Sequence, residues 1–195
     1  MTVQQKVVGD FENILKICSS KGFLKMESLG GEIPFWISPY QIEHQDLVDK
    51  EIENLLHKLS QNGQNPLVID LFELMCEIVE YSIGLETMFG IQEKKKPEKF
   101  LRALKSVVDI QDAFIPEISR KLKEAEYDML FIKGVGSVYP VIRSHAILNN
   151  LQSTVTEIPT LMFFPGEYSG QSLNLFSRLK DDNYYRAFNV NQFKH

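Results

Sequence analysis

The residues that could do chemistry are few, and they gather where apolar runs hand over to helices. Asp70 closes the run Pro66-Leu67-Val68-Ile69, and Lys133-Gly134-Val135-Gly136-Ser137 follows a second run. In an open α/β sheet, ligands sit beyond the carboxyl ends of the strands, so these positions are the first candidates for a pocket. A glycine-bearing turn that opens a helix could offer free N–H groups to an anion, with Lys133 beside it. A dinucleotide fingerprint, however, needs a small residue where Tyr139 stands. The simpler reading is a tight turn that uses glycine for its backbone angles. Asp70 could hold Mg²⁺ or act as a base, but no second carboxylate adjoins it, and capping a helix is its plainer role. Asp128 begins its strand and so belongs to the opposite end of the sheet.

Other constellations fail on residue type or spacing. A Walker A loop needs Gly-Lys-Ser/Thr, and the chain contains no Gly-Lys dipeptide. Gly30-Gly31 precedes the first apolar strand, where a P-loop would have to follow it. No Gly-x-Ser-x-Gly elbow occurs. His44 and His57 fall on the polar face or margin of a helix, and His195 ends the chain. His145, in Arg143-Ser144-His145, is expected near the middle of a helix. There it could pair with Asp70 or a partner's carboxylate, but packing at the helix border with one hydrogen bond is the plainer role. Cys18 and Cys76 stand apart in apolar patterns with no Cys-x-x-Cys or histidine neighbour, so buried, reduced thiols are expected rather than zinc ligands. Arg178, Lys180, Tyr184, Tyr185 and Arg186 interleave cations with aromatics, as a nucleic-acid surface would. Asp181 and Asp182 sit among them and cancel much of that field. Tyr and Arg equally suit a protein interface, which makes Arg143, His145, Tyr184, Tyr185 and Arg186 the candidate partner contacts. No catalytic residue, metal or cofactor is expected.

Alternating strands and helices must position these residues. Val7, Val8, Phe11, Ile14, Leu15 and Cys18 share one helical face, closed at Lys21-Gly22. Ile33 to Ile37 reads as a first strand, held to its start or an edge by Pro34. Leu47, Val48, Ile52, Leu55, Leu56 and Leu59 form a helical stripe from Glu43 to Ser60. The run from Pro66 reads as a strand buried on both faces, passing into a helix at Phe72. The cluster from Glu93 to Lys99 is an exposed connection into a helix carrying Phe100, Leu101, Leu104, Val107 and Val108. Another helix carries Ile115, Ile118 and Leu122, with Pro116 in its first turn. Strands follow at Tyr127–Ile132 and Pro159–Phe164. Between them a helix is expected from about Tyr139 to Leu151, capped by Ser137, with Pro140 early in it. Turn-rich Pro165–Ser172, a short helix over 172–179 and an aromatic strand from Tyr184 to Val190 complete the chain. The pattern predicts one α/β domain over residues 1–195, with three layers around a mainly parallel sheet and the first 30 residues as a helix packed on it. A degenerate P-loop or Rossmann-like sheet without its Walker A loop is compatible with that order.

The bulk numbers agree with a soluble protein. Hydrophobic residues are 44% and charged residues 24%, ordinary for a globular domain. With 26 acidic against 21 basic side chains the net charge is −5, which leans against direct DNA binding. The amphipathic N-terminus does not read as a signal peptide, and no run approaches a membrane span. A cytoplasmic location is expected.

Three blocks between 127 and 195 carry a resemblance. Gly136-Ser-Val-Tyr139-Pro140-Val-Ile-Arg143-Ser-His145-Ala-Ile-Leu148-Asn-Asn-Leu151 is similar to a "G-x-x-Y-P-x-x-R-x-H-x-x-L-x-x-L" motif. Pro165-Gly166-Glu-Tyr168-Ser-Gly170-Gln-Ser-Leu173 resembles a "PG-x-Y-x-G-x-x-L" turn, and Asn183-Tyr184-Tyr185-Arg186-Ala187-Phe188 a terminal box. Together they resemble the BrxB family of bacteriophage-exclusion (BREX) systems; the first two-thirds of the chain match that family only in length and general pattern. The resemblance implies a non-enzymatic adaptor working with larger BREX proteins. PglZ, phosphatase-like, is its first partner, then the BrxC ATPase or the PglX methyltransferase. A degenerate nucleotide-binding or DNA-binding subunit of the same system is the alternative.

Overall fold

The computed structural model describes residues 2–26, 35–180 and 187–192. Five strands form a parallel core in the order β2-β3-β4-β1-β7: β1 (Phe35–Tyr40), β2 (Pro66–Asp70), β3 (Met129–Lys133), β4 (Thr160–Tyr168) and β7 (Phe188–Asn189). The short strands β5 (Leu173–Leu175) and β6 (Leu179–Lys180) extend β4 as an antiparallel hairpin. Successive side chains of a strand point to opposite faces, and the apolar runs are spent on both. Phe35, Ile37, Leu130, Ile132, Met162 and Phe164 enter one core, and Trp36, Met129, Phe131, Leu161 and Phe163 enter the other.

Each face is then covered by helices. On the second face lie α1 (Val3–Cys18) and α3 (Gln45–Gln61), with the one-turn α2 (Lys21–Leu24). Thr2 caps α1 in a reciprocal box with Gln5. On the first face lie α4 (Leu71–Ser82), α5 (Leu85–Lys94), α6 (Pro97–Val107), α7 (Ile115–Leu122) and α8 (Ser144–Thr154). The result is the expected three-layer α/β architecture with a mainly parallel sheet.

Several boundaries differ from the sequence reading. Strand β2 is an edge strand with only Ile69 buried, not a strand sealed on both faces; its partner β3 covers one side and water the other. The first strand runs on to Tyr40 and lies inside the sheet, and the predicted residues 33–34 lie outside the described chain. Helix α8 starts at Ser144, five residues after Tyr139. The residue before a proline resists the helical region, and 135–141 instead form turns closed by Ser137 N–H to Gly134 O and Ile142 N–H to Val138 O. Pro165–Tyr168 are strand rather than turn, and 173–180 are the β5–β6 hairpin rather than a helix. Leu173 and Leu175 alternate inward there, a period of two that the short apolar cluster disguised. Of the predicted last strand, Phe188–Asn189 pairs with β1, and 184–186 lie outside the described residues.

The second core turns on aromatic packing. Phe163, only 1% exposed, stacks on Phe11 at 5.7 Å and meets Phe131 edge-on at 5.8 Å. Phe163→Ala should therefore lower unfolding stability by about 3–5 kcal/mol in urea titrations, with the fold retained under native conditions.

Candidate functional site

Asp70 and Lys133 end adjacent parallel strands in register, so their side chains share the carboxyl edge of the sheet. Lys133 Nζ lies 3.3 Å from Asp70 Oδ2, while Asp70 Oδ1 accepts from the N–H groups of Phe72 (2.9 Å) and Glu73 (3.3 Å). Asp70 is thus the N-cap of α4, and its charge is spent on helix donors and one lysine. Gly134 crosses directly above at φ +77°, and a Cβ there would stand 2.7 Å from Asp70 Oδ1. The five candidates for a vestigial ligand pocket divide accordingly. Asp70, Lys133 and Gly134 close on one another, Gly136 abuts the Phe176 ring, and Ser137 sits in the turn with its side chain off any helix cap. Asp128 does lie at the other end: its carboxylate accepts from Asn65 N–H at 2.7 Å, tying β2 to β3 where both begin.

The open space lies one step along the edge. A groove of about 450 Å³ runs between the start of α8 and the β5–β6 hairpin, lined by Tyr139, Arg143, Ser144, Leu173, Arg178 and Lys180 among others. Arg143 is the N-cap residue of α8, its side chain exposed, and Arg178 leaves the hairpin turn beside it, also exposed. The turn holds Phe176 and Ser177 at φ +56° and +53°, a conformation that side chains rarely adopt. Hydrogen bonds from Ser177 N–H to Asn174 O and Arg178 N–H to Leu175 O keep it there. His145 is the second residue of α8 rather than a mid-helix one, because the helix starts late. It is half-buried and has an interaction partner. Tyr184, Tyr185 and Arg186 lie outside the described residues.

A second cavity, of about 610 Å³, marks the switch point of the sheet. Here α3 leaves β1 toward one face while β4 continues into the hairpin on the other. Lys6, Asp10, Tyr40, His44, Glu167 and Asn191 are among its lining. Tyr40 donates to Gln45 Oε1 at 2.6 Å, and burial, with Asp49 nearby, pushes its phenol upward. Burial also raises the Asp10 carboxyl, against Lys6. His44 was missed as a lining residue because its place at the start of α3 gave it no apolar or catalytic neighbour in sequence. The loop leaving β1 reads Gln41-Ile42-Glu43-His44 and has no glycine for a phosphate loop. Among the described residues no cluster of His, Cys, Asp and Glu could hold a metal. No described helix is long and apolar enough to cross a membrane.

Fold and edge place the molecule among parallel α/β proteins whose first strand feeds its helix without a phosphate-binding loop. The family model described as "BREX protein BrxB" matches residues 67–190. A BREX protein BrxB from Bacillus cereus (strain H3081.97) is 36% identical over 183 residues, covering 92% of this chain and 94% of the relative. A second from Escherichia coli O9:H4 (strain HS) is 32% identical over 180 residues, 86% of this chain and 83% of that one. The chain belongs to the BrxB family, and with that membership comes a role in the BREX defence system. The likeness also reaches well beyond the three C-terminal blocks.

The two thiols report on this architecture. Cys18 is fully buried and burial drives its thiol far above the ordinary range. Cys76 is only half-buried, contrary to the sequence expectation, and its thiol is raised by burial together with the Asp70 and Glu73 charges. A raised thiol holds less reactive thiolate at neutral pH. Iodoacetamide should therefore label Cys76 alone in the native protein, slowly at neutral pH and faster as pH rises. Cys18 should react only in denaturant, as read by peptide mass spectrometry.

Proposed function

We propose that the protein is a non-catalytic adaptor of a BREX complex, acting in the cytoplasm and holding larger BREX proteins together. One observation carries the reading. The α4–α5 surface leaves large apolar side chains in water: Phe72 is 47% exposed, Phe89 56% and Tyr81 80%, with Ile83 beside them in the connection. Exposed aromatics gathered on one surface are costly to keep wet and are the usual mark of a protein contact, and Phe72 and Tyr81 share one cleft. Phe72, Tyr81 and Leu85 line a shallow cleft of about 470 Å³ with Glu73, Glu77 and Glu80 around them. That surface suits a partner offering an apolar anchor ringed by Lys or Arg. PglZ is the first choice among BREX proteins, then the BrxC ATPase and the PglX methyltransferase. A bridge needs a second contact, and Tyr184, Tyr185, Arg186 and His145 are the candidates for it by residue type, while Arg143 lines the groove beside α8. Direct DNA binding forms no part of this role, given a net charge of −5.

The test is a pull-down of the tagged protein from cells expressing the whole operon. Wild type should recover a BREX partner, and Phe72→Ala/Tyr81→Ala should reduce that recovery at least about tenfold with an unchanged circular dichroism spectrum. Undiminished recovery by this variant and by Tyr185→Ala/Arg186→Ala would sink the adaptor reading.

A further inference from the structure

We infer that the groove between α8 and the β5–β6 hairpin is a binding site for a phosphate ester of mononucleotide size. Three independent features converge there. The first is charge: Arg143 and Arg178 both line the groove, and neither meets a carboxylate or any other hydrogen-bonding partner among the described residues. Two unpaired guanidiniums on the walls of one groove concentrate positive charge there, and a doubly charged oxyanion matches it with bidentate hydrogen bonds. The second is Ser144, only 7% exposed, which lines the same groove and whose hydroxyl bonds to nothing among the described residues. The side chain is enclosed by the fold while its hydroxyl stays open to the groove, so it is available to a ligand. The third is the start of α8, an eleven-residue helix whose N-cap, Arg143, makes no side-chain cap bond. Ala146 N–H turns back to Arg143 O at 3.0 Å, while Ser144 N–H, the first of the helix, bonds to nothing among the described residues and is left for a ligand where the helix dipole favours an anion.

The remaining walls define the rest of the ligand. Tyr139 is 38% exposed and Leu179 39%, and with Leu173 and Leu175 they give one flat and several apolar surfaces beyond the cationic end. A planar ring stacked on Tyr139 would complete the occupancy of a 450 Å³ groove, within the usual range for small ligands. The switch-point cavity makes a poorer anion site, since Asp10 and Glu167 offset Lys6 there. This site is separate from the closed Asp70–Lys133 contact, and it does not depend on the adaptor reading.

The test is calorimetric titration of the whole protein with adenosine 5′-monophosphate, ribose 5-phosphate, inorganic phosphate, adenosine and a Glu-rich octapeptide. The monophosphate should bind at least about tenfold tighter than inorganic phosphate or adenosine, with ribose 5-phosphate between. Arg143→Ala and Arg178→Ala should each weaken it at least about tenfold while circular dichroism and melting temperature hold, since both side chains are exposed and unpaired. Ser144→Ala should weaken it severalfold without lowering the melting temperature, because its hydroxyl has no internal partner to lose. No heat with any phosphate at several millimolar, adenosine binding as well as its monophosphate, inorganic phosphate binding as well as the nucleotide, or binding of the peptide alone would each overturn the inference. So would full affinity in both arginine variants.

Discussion

Strand β4 must be dry along almost its whole length and yet turn back on itself at its end. Eight of its nine residues are buried, and it pairs with β3 on one side and β1 on the other. Such a strand cannot stop in the middle of the sheet without exposing apolar side chains, so it runs out past the sheet's edge and folds into the hairpin. Gly166 makes that possible: a Cβ there would lie 2.1 Å from Asn174 O, closer than any side chain tolerates. Tyr168, buried, then anchors the segment by donating to Ala187 O at 2.8 Å. The hairpin held in this way carries Arg178 to the start of α8. The position of the groove follows from the burial of the strand.

How much of this was legible in the sequence depends on which physical signal each element sends. The parallel core was readable because its strands are unbroken apolar runs between turn residues, and the helical stripes on α1 and α3 repeat cleanly. The Asp70 cap was readable too, since an aspartate at a strand-to-helix junction has local donors waiting for it. What failed was local patterning overruled by pairing. Residues 173–180 look like a helical fragment until β4 offers them an antiparallel edge, and Pro140 looks like an early helix residue until Tyr139 is held in a turn. Edge or interior placement of a strand also leaves little local trace. β2 and β3 are both short apolar runs, yet only β3 buries all its apolar residues.

Electrostatics shows the same division between bulk and place. The chain carries more acid than base, and that average argues against anionic partners. The average says little about a site, because fields fall off over about 8 Å in physiological salt. The acidic side chains Glu73, Glu77 and Glu80 collect on α4, while Arg143 and Arg178 are brought together from positions 35 residues apart. A linear reading sees Arg178 and Lys180 next to Asp181 and Asp182. The fold adds a helix start and a second guanidinium that the linear reading has no means of placing.

That division clarifies the residue blocks by which the family is recognised. Gly136 and Gly166 are each explained by what a Cβ would strike, and Leu148 and Leu151 by burial in the core. These positions would be demanded of any protein with this edge, whatever it binds. Tyr139 and Arg143 are different. Both are exposed, and packing gives no reason for a tyrosine or an arginine at either. Exposed side chains are replaceable unless something outside the chain requires them. The block that opens at Gly136 therefore carries two messages in one stretch: glycine and leucine positions that build the carboxyl edge, and a tyrosine and an arginine set upon it for contact.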